Sequence, residues 1–180
     1  MKPVHIIQEP NETLRVIAPP VSPAAIKSEK IQTLIKALSH ALAQEEDGVA
    51  IAAPQIGASV RMFVVSKKVI RRIKGKEKSG DLVFINPEIV RLGKKKEMLS
   101  EGCLSVRWKY GVVKRSVTAT VRAINERGHA FVMSGHGLLA QIFQHEIDHL
   151  DGILFIDKAK HIKDIPPTDT QHLPHHATAQ

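Results

Sequence analysis

The segment Gln144-His145-Glu146-Ile147-Asp148-His149 contains the pattern His-Glu-x-x-His, and no other segment of the chain is as informative. On an α-helix, residues four positions apart lie on the same face, so His145 and His149 can both bind one metal ion. Glu146 follows the first of them, where its carboxylate can reach a water on the metal without being a ligand itself. The alternative interpretation is an ordinary helix that carries two histidines by chance.

The residues on either side of this motif predict a helix buried in the core. Asp151-Gly152 supplies a helix stop signal after the motif. An apolar run precedes it, formed by Leu138, Leu139, Ile142 and Phe143. Polar rings on a buried helix are costly unless they bind something. The flanking sequence therefore favours a metal site over a chance pattern.

Length and composition predict a single soluble domain. The chain has 180 residues, of which 43% are hydrophobic and 24% are charged, and such a chain can bury its own core. No apolar run approaches the length that crosses a bilayer, and the first residues lack the apolar core of a secretory signal. We therefore expect a cytoplasmic protein in which residues 1–165 form one domain and the polar residues 166–180 form a flexible tail.

The net charge of +8 favours negatively charged surroundings, although a solvated basic surface also explains it. One tryptophan and one tyrosine argue against a single-strand nucleic-acid binder that stacks bases on aromatic rings. Cations are concentrated in residues 67–78, which we expect to form an exposed hairpin tip.

Hydrophobic periodicity predicts the remaining elements. An amphipathic helix is predicted over residues 24–44, with Ser22-Pro23 at its start, and a short helix over residues 161–165. Strands are predicted over residues 60–65, 82–90 with a break at Asn86-Pro87, 117–124 and 129–133. These patterns predict an α+β fold in which antiparallel strands pack around a central metal-binding helix, with an additional N-terminal helix.

A catalytic metal site needs a third protein ligand besides the two histidines. The longer metzincin pattern would supply a histidine six residues after His149, but Phe155 stands there. Cys103 is the better candidate, because a thiolate is a strong ligand and Gly102 lets the backbone turn beside it. One cysteine and two histidines leave a tetrahedral position open for water.

Small residues dominate the run from Gly48 to Gly57, so its backbone can approach a ligand closely. Gln55 is the one polar side chain in this run. It is not a phosphate-binding loop, because it lacks the glycine-lysine ending of that motif. The alternative interpretation is a tight buried turn with no chemistry.

Three segments resemble, in their order and separation, the signature motifs of peptide deformylases. They are Gly48-Val49-Ala50-Ile51-Ala52-Ala53-Pro54-Gln55, Glu101-Gly102-Cys103-Leu104-Ser105 and Gln144-His145-Glu146-Ile147-Asp148-His149. The second and third match fully, whereas the first has Ala50 where the family pattern has glycine. The segments 10–15 and 85–87 are also similar, so the resemblance covers residues 3–157.

The resemblance implies hydrolysis of the N-formyl group from the initiator methionine of nascent bacterial polypeptides, with release of formate. It implies that Glu146 moves a proton from the attacking water to the leaving amine. It further implies that Cys103, His145 and His149 hold the metal, which lowers the pKa of water. The implied metal is Fe²⁺, which Ni²⁺, Co²⁺ or Zn²⁺ can replace, since cysteine and histidine ligands suit all four.

The resemblance also assigns the groups that contact substrate. The side-chain amide of Gln55 and the backbone N–H of Leu104 are expected to stabilise charge on the formyl oxygen. The residues expected to bind the peptide are Gly48, Val49, Ala50, Gly102, Leu138 and Ile142. The backbone of Val49, Ala50 and Gly102 would pair with the peptide as an added strand. Leu138 and Ile142 would line an apolar methionine pocket, with Gln141 either narrowing its side-chain preference or lying at its rim. The methyl group of Ala50 is expected to project near the substrate backbone.

The expected partners are N-formyl-methionyl nascent peptides, with no membrane contact. Well-studied members of the family dock on the ribosome through a C-terminal helix, for which Pro166-Pro167 leaves no room, so the basic 67–78 segment is a candidate for that contact. Two alternatives stay open at this point. One is a zinc endopeptidase that shares the His-Glu-x-x-His pattern, and the other is a ribosome- or RNA-associated protein with a non-catalytic metal site.

Overall fold

The structure, a computed structural model, describes residues 4–74 and 80–166, with the side chains of residues 72–74 excepted. The helices are α1 (Glu29–Gln44), α2 (Lys67–Lys74) and α3 (Leu138–Leu150), and short 3-10 helices occur at Glu12–Arg15, Pro23–Ala25, Ala53–Ile56 and Phe155–Asp157. The strands are β1 (Ala50–Ala52), β2 (Met62–Val65), β3 (Leu82–Leu92), β4 (Lys96–Cys103), β5 (Val106–Ser116), β6 (Thr118–Ile124), β7 (Ala130–His136) and β8 (Lys160–Asp164).

These strands form two antiparallel sheets. The larger sheet has the order β1-β2-β3-β6-β7 and the smaller one has the order β4-β5-β8. Helix α3 packs on one face of the larger sheet and also contacts β5 of the smaller one, whereas α1 packs on β1 and β2. The α+β class predicted from the sequence is confirmed.

Strand β2 shows why α1 and α3 lie on opposite faces of the larger sheet. Its four side chains are all buried, and they alternate between two apolar clusters. Phe63 and Val65 belong to the cluster that contains residues of α3, whereas Met62 and Val64 belong to the cluster that contains residues of α1. Successive side chains of a strand point to opposite faces, so a strand covered on both faces is apolar throughout.

The N-terminal helix is shorter than predicted. It begins at Glu29 rather than at residue 24, because the side chain of Ser28 accepts a hydrogen bond from the N–H of Ile31 and caps it. Pro23–Ala25 forms a separate 3-10 turn, and Ser22 makes no capping hydrogen bond to it.

One strand prediction and one helix prediction also need correction. The predicted break at Asn86-Pro87 is a bulge within the continuous strand β3, where the pairing with β6 shifts between Ile85 and Glu88. Asn86 has φ 50° there, and its side chain exchanges hydrogen bonds of 2.7 and 2.8 Å with the backbone of Val21. The predicted helix over 161–165 is instead strand β8, which pairs with β5.

The expected hairpin tip at residues 67–78 is wrong for its first part, which forms α2. Val69 and Ile70 are buried against the α3 side of the core, and this burial makes the segment helical. Residues 75–79 lie outside the described residues, as does the predicted tail from residue 167 onward. None of the helices in the described part of the chain has the length and apolar character that crossing a bilayer requires.

Candidate metal centre

Helix α3 presents the two histidines predicted to bind metal. His149 and Glu146 on this helix are buried, with 1% and 3% of their surface exposed. The helix ends at Leu150, and Gly152 follows with φ 73°, a left-handed conformation that glycine adopts without strain. The predicted helix and its stop signal are therefore both observed.

Cys103 lies at the end of β4, where the pairing with β5 shifts by a bulge. This bulge brings its Sγ atom to 3.2 Å from Nε2 of His149. Ligand atoms of Cys103, His145 and His149 lie within 4.8 Å of one another. The structure thus brings together all three side chains that the sequence predicted as ligands.

These donors fit a divalent metal ion. One thiolate and two imidazoles form a set used at catalytic zinc sites, and it also suits iron, nickel and cobalt. The Nδ1 atom of His145 is 3.0 Å from Oε2 of Glu101, which leaves its Nε2 atom available as a ligand. The buried Oε2 atom of Glu146 has no hydrogen-bond partner among the described residues.

Glu101 is held by Arg115 as well as by His145. The Nε and Nη2 atoms of Arg115 donate to its two oxygens at 2.8 and 2.9 Å, and both side chains are almost fully buried. Burial alone would raise the pKa of Glu101, but the hydrogen bonds from His145 and Arg115 outweigh it and lower that pKa to about 2. Glu101 is therefore an anion fixed behind a metal ligand.

The charge network continues from Arg115 to the surface. Its Nη1 atom donates to Asp148 at 2.6 Å, and Lys158 donates to the other oxygen of Asp148 at 2.6 Å. Sequence reasoning did not assign a role to Glu101 or single out Arg115. The sequence did contain one signal for them. Arg115 stands between the apolar residues of β5 and the alternating run of β6, and an arginine buried there needs a buried carboxylate as its partner.

Glu146 has an environment that suits proton transfer. Burial raises the pKa of its carboxyl group to about 7, against the opposing effect of His145. A group with a pKa near the working pH can both accept and release a proton, as general acid–base catalysis requires.

The amide of Gln55 is held in one orientation. Its Oε1 atom accepts a hydrogen bond of 2.8 Å from the N–H of Ala52. Its Nε2 atom is therefore the end that faces the centre, 3.1 Å from Oγ of Ser105 and 3.6 Å from Sγ of Cys103. Leu104 directly follows Cys103, and its carbonyl accepts a hydrogen bond of 2.8 Å from Gln8.

The predicted peptide-binding residues lie around two strand edges. β1 and β4 are edge strands of their sheets in the described part of the chain. Gly48 precedes β1, and a Cβ atom there would lie 2.8 Å from a side-chain carbon of Leu42. A Cβ atom at Gly102 on β4 would lie 2.7 Å from the ring of Tyr110. A side chain at either position would therefore force its neighbour to move.

The apolar residues predicted to bind substrate share one cluster. Ala50 and Ile142 are buried in it, and Val49 and Leu138 pack against it. The methyl group of Ala50, expected near the substrate backbone, is thus part of the core on the α3 side of β1, with 6% of the residue exposed. Gln141 donates to the carbonyl of Ser100 at 2.9 Å and to Glu101 at 3.3 Å, so it braces β4.

Comparisons with known proteins agree with these features. The family model for polypeptide deformylase matches residues 3–164. A peptide deformylase of Desulforudis audaxviator is 40% identical over 156 residues, which cover 86% of this chain and 92% of the relative.

Solved structures give the same result. A peptide deformylase from Legionella pneumophila has a TM-score of 0.77 and 39% identity, with 88% of each chain covered. A class I type b peptide deformylase from Acinetobacter baumannii, solved with Met-Ala-Ser bound, has a TM-score of 0.78 and 32% identity, covering 88% of this chain and 99% of that one. Neither the zinc endopeptidase nor the non-catalytic alternative is favoured by these matches. The chain belongs to the polypeptide deformylase family.

Proposed function

We propose that this chain hydrolyses the N-formyl group of N-terminal formyl-methionine on nascent polypeptides and releases formate. The observation that carries the proposal is the cluster of Cys103, His145 and His149 around one point, with the buried carboxylate of Glu146 on the same helix. The reaction needs a water, a group that moves its proton, and donors for the charge that develops on the formyl oxygen.

Cys103, His145 and His149 would hold the metal. When bound, the metal supplies Lewis acidity, which lowers the pKa of a water at this site to about 7. Fe²⁺ is the proposed native ion, and Ni²⁺, Co²⁺ or Zn²⁺ would fit the same ligands. Glu101 supports this assignment, because a carboxylate on the second nitrogen of a ligating histidine fixes its tautomer and orientation.

Glu146 moves the proton. Its carboxylate accepts a proton from the attacking water and then donates it to the amine that leaves as the C–N bond breaks. The pKa of about 7 supports both halves of this role near neutral pH. Its partnerless Oε2 atom is available to make the hydrogen bond to water.

Gln55 and Leu104 bind the formyl oxygen. The Nε2 atom of Gln55 and the backbone N–H of Leu104 would donate hydrogen bonds to this oxygen as it gains negative charge. The hydrogen bond from Ala52 to Oε1 supports this role, because it prevents the amide from turning its acceptor towards the oxygen. An amide does not titrate, so the donor is available at every working pH.

The peptide would lie between the edges of β1 and β4. Its backbone would pair with Val49, Ala50 and Gly102 beside Gly48, by strand addition. The methionine side chain would enter the apolar surface formed by Leu138 and Ile142, which suits an unbranched thioether. The solved relative with Met-Ala-Ser bound supports a peptide ligand of this kind.

The setting of the reaction follows from its substrate. Nascent formylated chains place it in the cytoplasm of a bacterial cell, with residues 1–165 as one catalytic domain. The 67–78 segment would contact the ribosome, since Lys67, Lys68 and Arg71 of α2 are exposed while Val69 and Ile70 are buried. Neutralising Lys67, Lys68, Arg71 and Arg72 should weaken ribosome co-sedimentation most at low salt. Unchanged co-sedimentation would remove this partner.

Formate release from a short formyl-Met peptide tests the reaction, using protein loaded without oxygen with iron or nickel. Glu146→Ala should lower turnover by about 10²–10⁴-fold while the metal content stays at the wild-type level. Glu126→Ala, which removes an exposed carboxylate on the β6–β7 turn, is the control and should keep full turnover. Metal-loaded wild-type protein that releases no formate would refute the proposed function.

A further inference from the structure

A groove at one end of the larger sheet is lined by cations and hydroxyl groups. Its volume is about 540 Å³, and no acidic residue lines it. Ala119 and Gly135 are buried on the α3 side of the sheet, so the residues that alternate with them face away from α3. The polar lining residues are Arg91, Lys94, Thr118, Thr120, Ser134 and His136.

The floor of this groove is built by close backbone contacts. The N–H of Gly93 donates to the carbonyl of Thr118 at 2.8 Å, and a Cβ atom at Gly93 would lie only 2.2 Å from Oγ1 of Thr118. The hydroxyl groups of Thr120 and Ser134 are hydrogen-bonded to each other at 2.9 Å. Gly93 in the β3–β4 turn therefore lets this turn lie directly against β6, and the mutual hydrogen bond fixes the hydroxyl groups of Thr120 and Ser134.

The cations of the groove are not neutralised by the protein. Arg91 and Lys94 form no ion pair with any described residue, and the nearby acids are already engaged: Glu97 with Lys95 at 2.8 Å and Glu88 with Arg122 at 2.7 Å. Other described arginines do pair with carboxylates, namely Arg15, Arg61, Arg107, Arg115, Arg122 and Arg127. Arg91 thus differs from them in presenting its charge to an external anion.

The arrangement fits a row of phosphates better than a single one. β3 and β7 are separated by β6, so Arg91 and His136 stand on strands about 10 Å apart. No Phe, Tyr or Trp side chain lines the groove, so it lacks the large rings on which single-stranded bases stack, and the contact is with a backbone. Hydroxyl groups on the floor can exchange hydrogen bonds with ribose 2′-OH groups. We propose that this groove binds the phosphodiester backbone of a double-helical RNA.

Binding there leaves the metal centre open. His136 stands just before α3, and along this helix His145 is about 10 Å from Leu138. The groove opens on the face of the sheet opposite α3, so an RNA in it does not contact Cys103, His145 or His149. The inference therefore does not depend on the proposed reaction, and its test has a separate readout.

The test is fluorescence anisotropy of a labelled RNA hairpin with the full-length metal-loaded protein, between about 50 and 200 mM salt. Arg91→Gln/Lys94→Gln should weaken binding at least tenfold and reduce the slope of log K against log salt by about 1.5, because two phosphate contacts are lost. Formate release from a formyl-Met peptide should stay at the wild-type rate in this variant.

The control is Lys27→Gln/Arg127→Gln. It also removes one lysine and one arginine, but at the opposite end of β6 and β7. It should change RNA affinity less than twofold. If both double variants lose RNA affinity equally, the groove is not the binding site. If the wild-type protein binds phosphatidylglycerol vesicles but not the hairpin, the proposed RNA ligand is wrong. A DNA duplex of the same sequence should bind more weakly, and equal affinity for DNA would overturn the assignment to RNA.

Discussion

The Nδ1 atom of His145 lies 3.0 Å from Oε2 of Glu101. The same carboxylate also accepts two hydrogen bonds from the guanidinium group of Arg115. This contact joins a ligand on α3 to the strand that carries Cys103, so one buried carboxylate connects the two elements that form the metal centre. The geometry of the ligands therefore depends on Glu101, although Glu101 is not a ligand itself.

Replacing Glu101 by Gln should weaken metal binding by about 10–100-fold, because partners of the second histidine nitrogen contribute that much to affinity. Competition of the loaded protein with a chelator measures the change. Glu97→Gln, an exposed acid on the same strand, should leave the affinity as in wild type. Equal affinity in Glu101→Gln and wild type would show that the contact does not support the centre.

The carboxylate of Glu101 should make the free energy of unfolding of the metal-free protein depend on pH. The pKa of Glu101 is lowered from 4.5 to about 2 by its hydrogen bonds to His145 and Arg115, which outweigh burial. A lowered pKa stabilises the folded state fully above pH 4.5, and this contribution is lost as pH falls towards 2. Its size is about 3 kcal/mol.

Urea unfolding of the metal-free protein at a series of pH values measures this dependence. The difference in free energy of unfolding between wild type and Glu101→Gln should shrink as pH falls from 4.5 to about 2. Glu88→Gln, which removes an exposed ion pair with Arg122, should follow the wild-type profile. A difference that stays constant over this range would contradict the assigned pKa.

Gln55→Glu should separate the two ends of this side chain. A carboxylate can still accept the hydrogen bond from Ala52, but it has no donor for the formyl oxygen. Loss of one such donor lowers kcat by about 10²–10³-fold. Steady-state formate release measures kcat, and Gln44→Glu at an exposed position of α1 controls for the added charge. A change confined to KM would assign Gln55 to binding alone.

Ala50→Gly should raise kcat/KM for formyl-Met peptides, because it removes a methyl group that packs in the same apolar cluster as Ile142 and so opens space beside the proposed methionine pocket. Glycine in a strand interior should also cost about 0.5–1 kcal/mol of stability. Ala123→Gly is the control, since it removes a buried methyl group from the same cluster on β6. It should lower stability similarly and leave kcat/KM unchanged. An equal rise in both variants would mean that general loosening, not the site, causes the gain.

The local sequence pattern was enough to predict the helix that carries His145 and His149. The spacing of His145 and His149 determines that they share a face once the segment is helical, and the apolar run before them makes burial of that helix favourable. Sequence patterns also predicted the α+β class, since turn residues and alternation are local properties. Strands β4 and β5 were not assigned. In β4 the reason is that Glu101 is its one buried residue, so this edge strand carries little apolar alternation.

Contacts between distant residues depend on the tertiary structure. Val69 and Ile70 make the basic segment helical only because the core offers them an apolar surface, which no local pattern reveals. The 3.2 Å approach of Cys103 to His149 depends on a bulge at the end of β4. Arg115 pairs with Glu101 although the strand register sets it opposite Glu97, so strand pairing alone does not predict this contact. The sequence alone determines which residues can bind a metal, and only packing of α3 against both sheets sets the distances at which they do so, because those distances join elements that the chain does not connect directly.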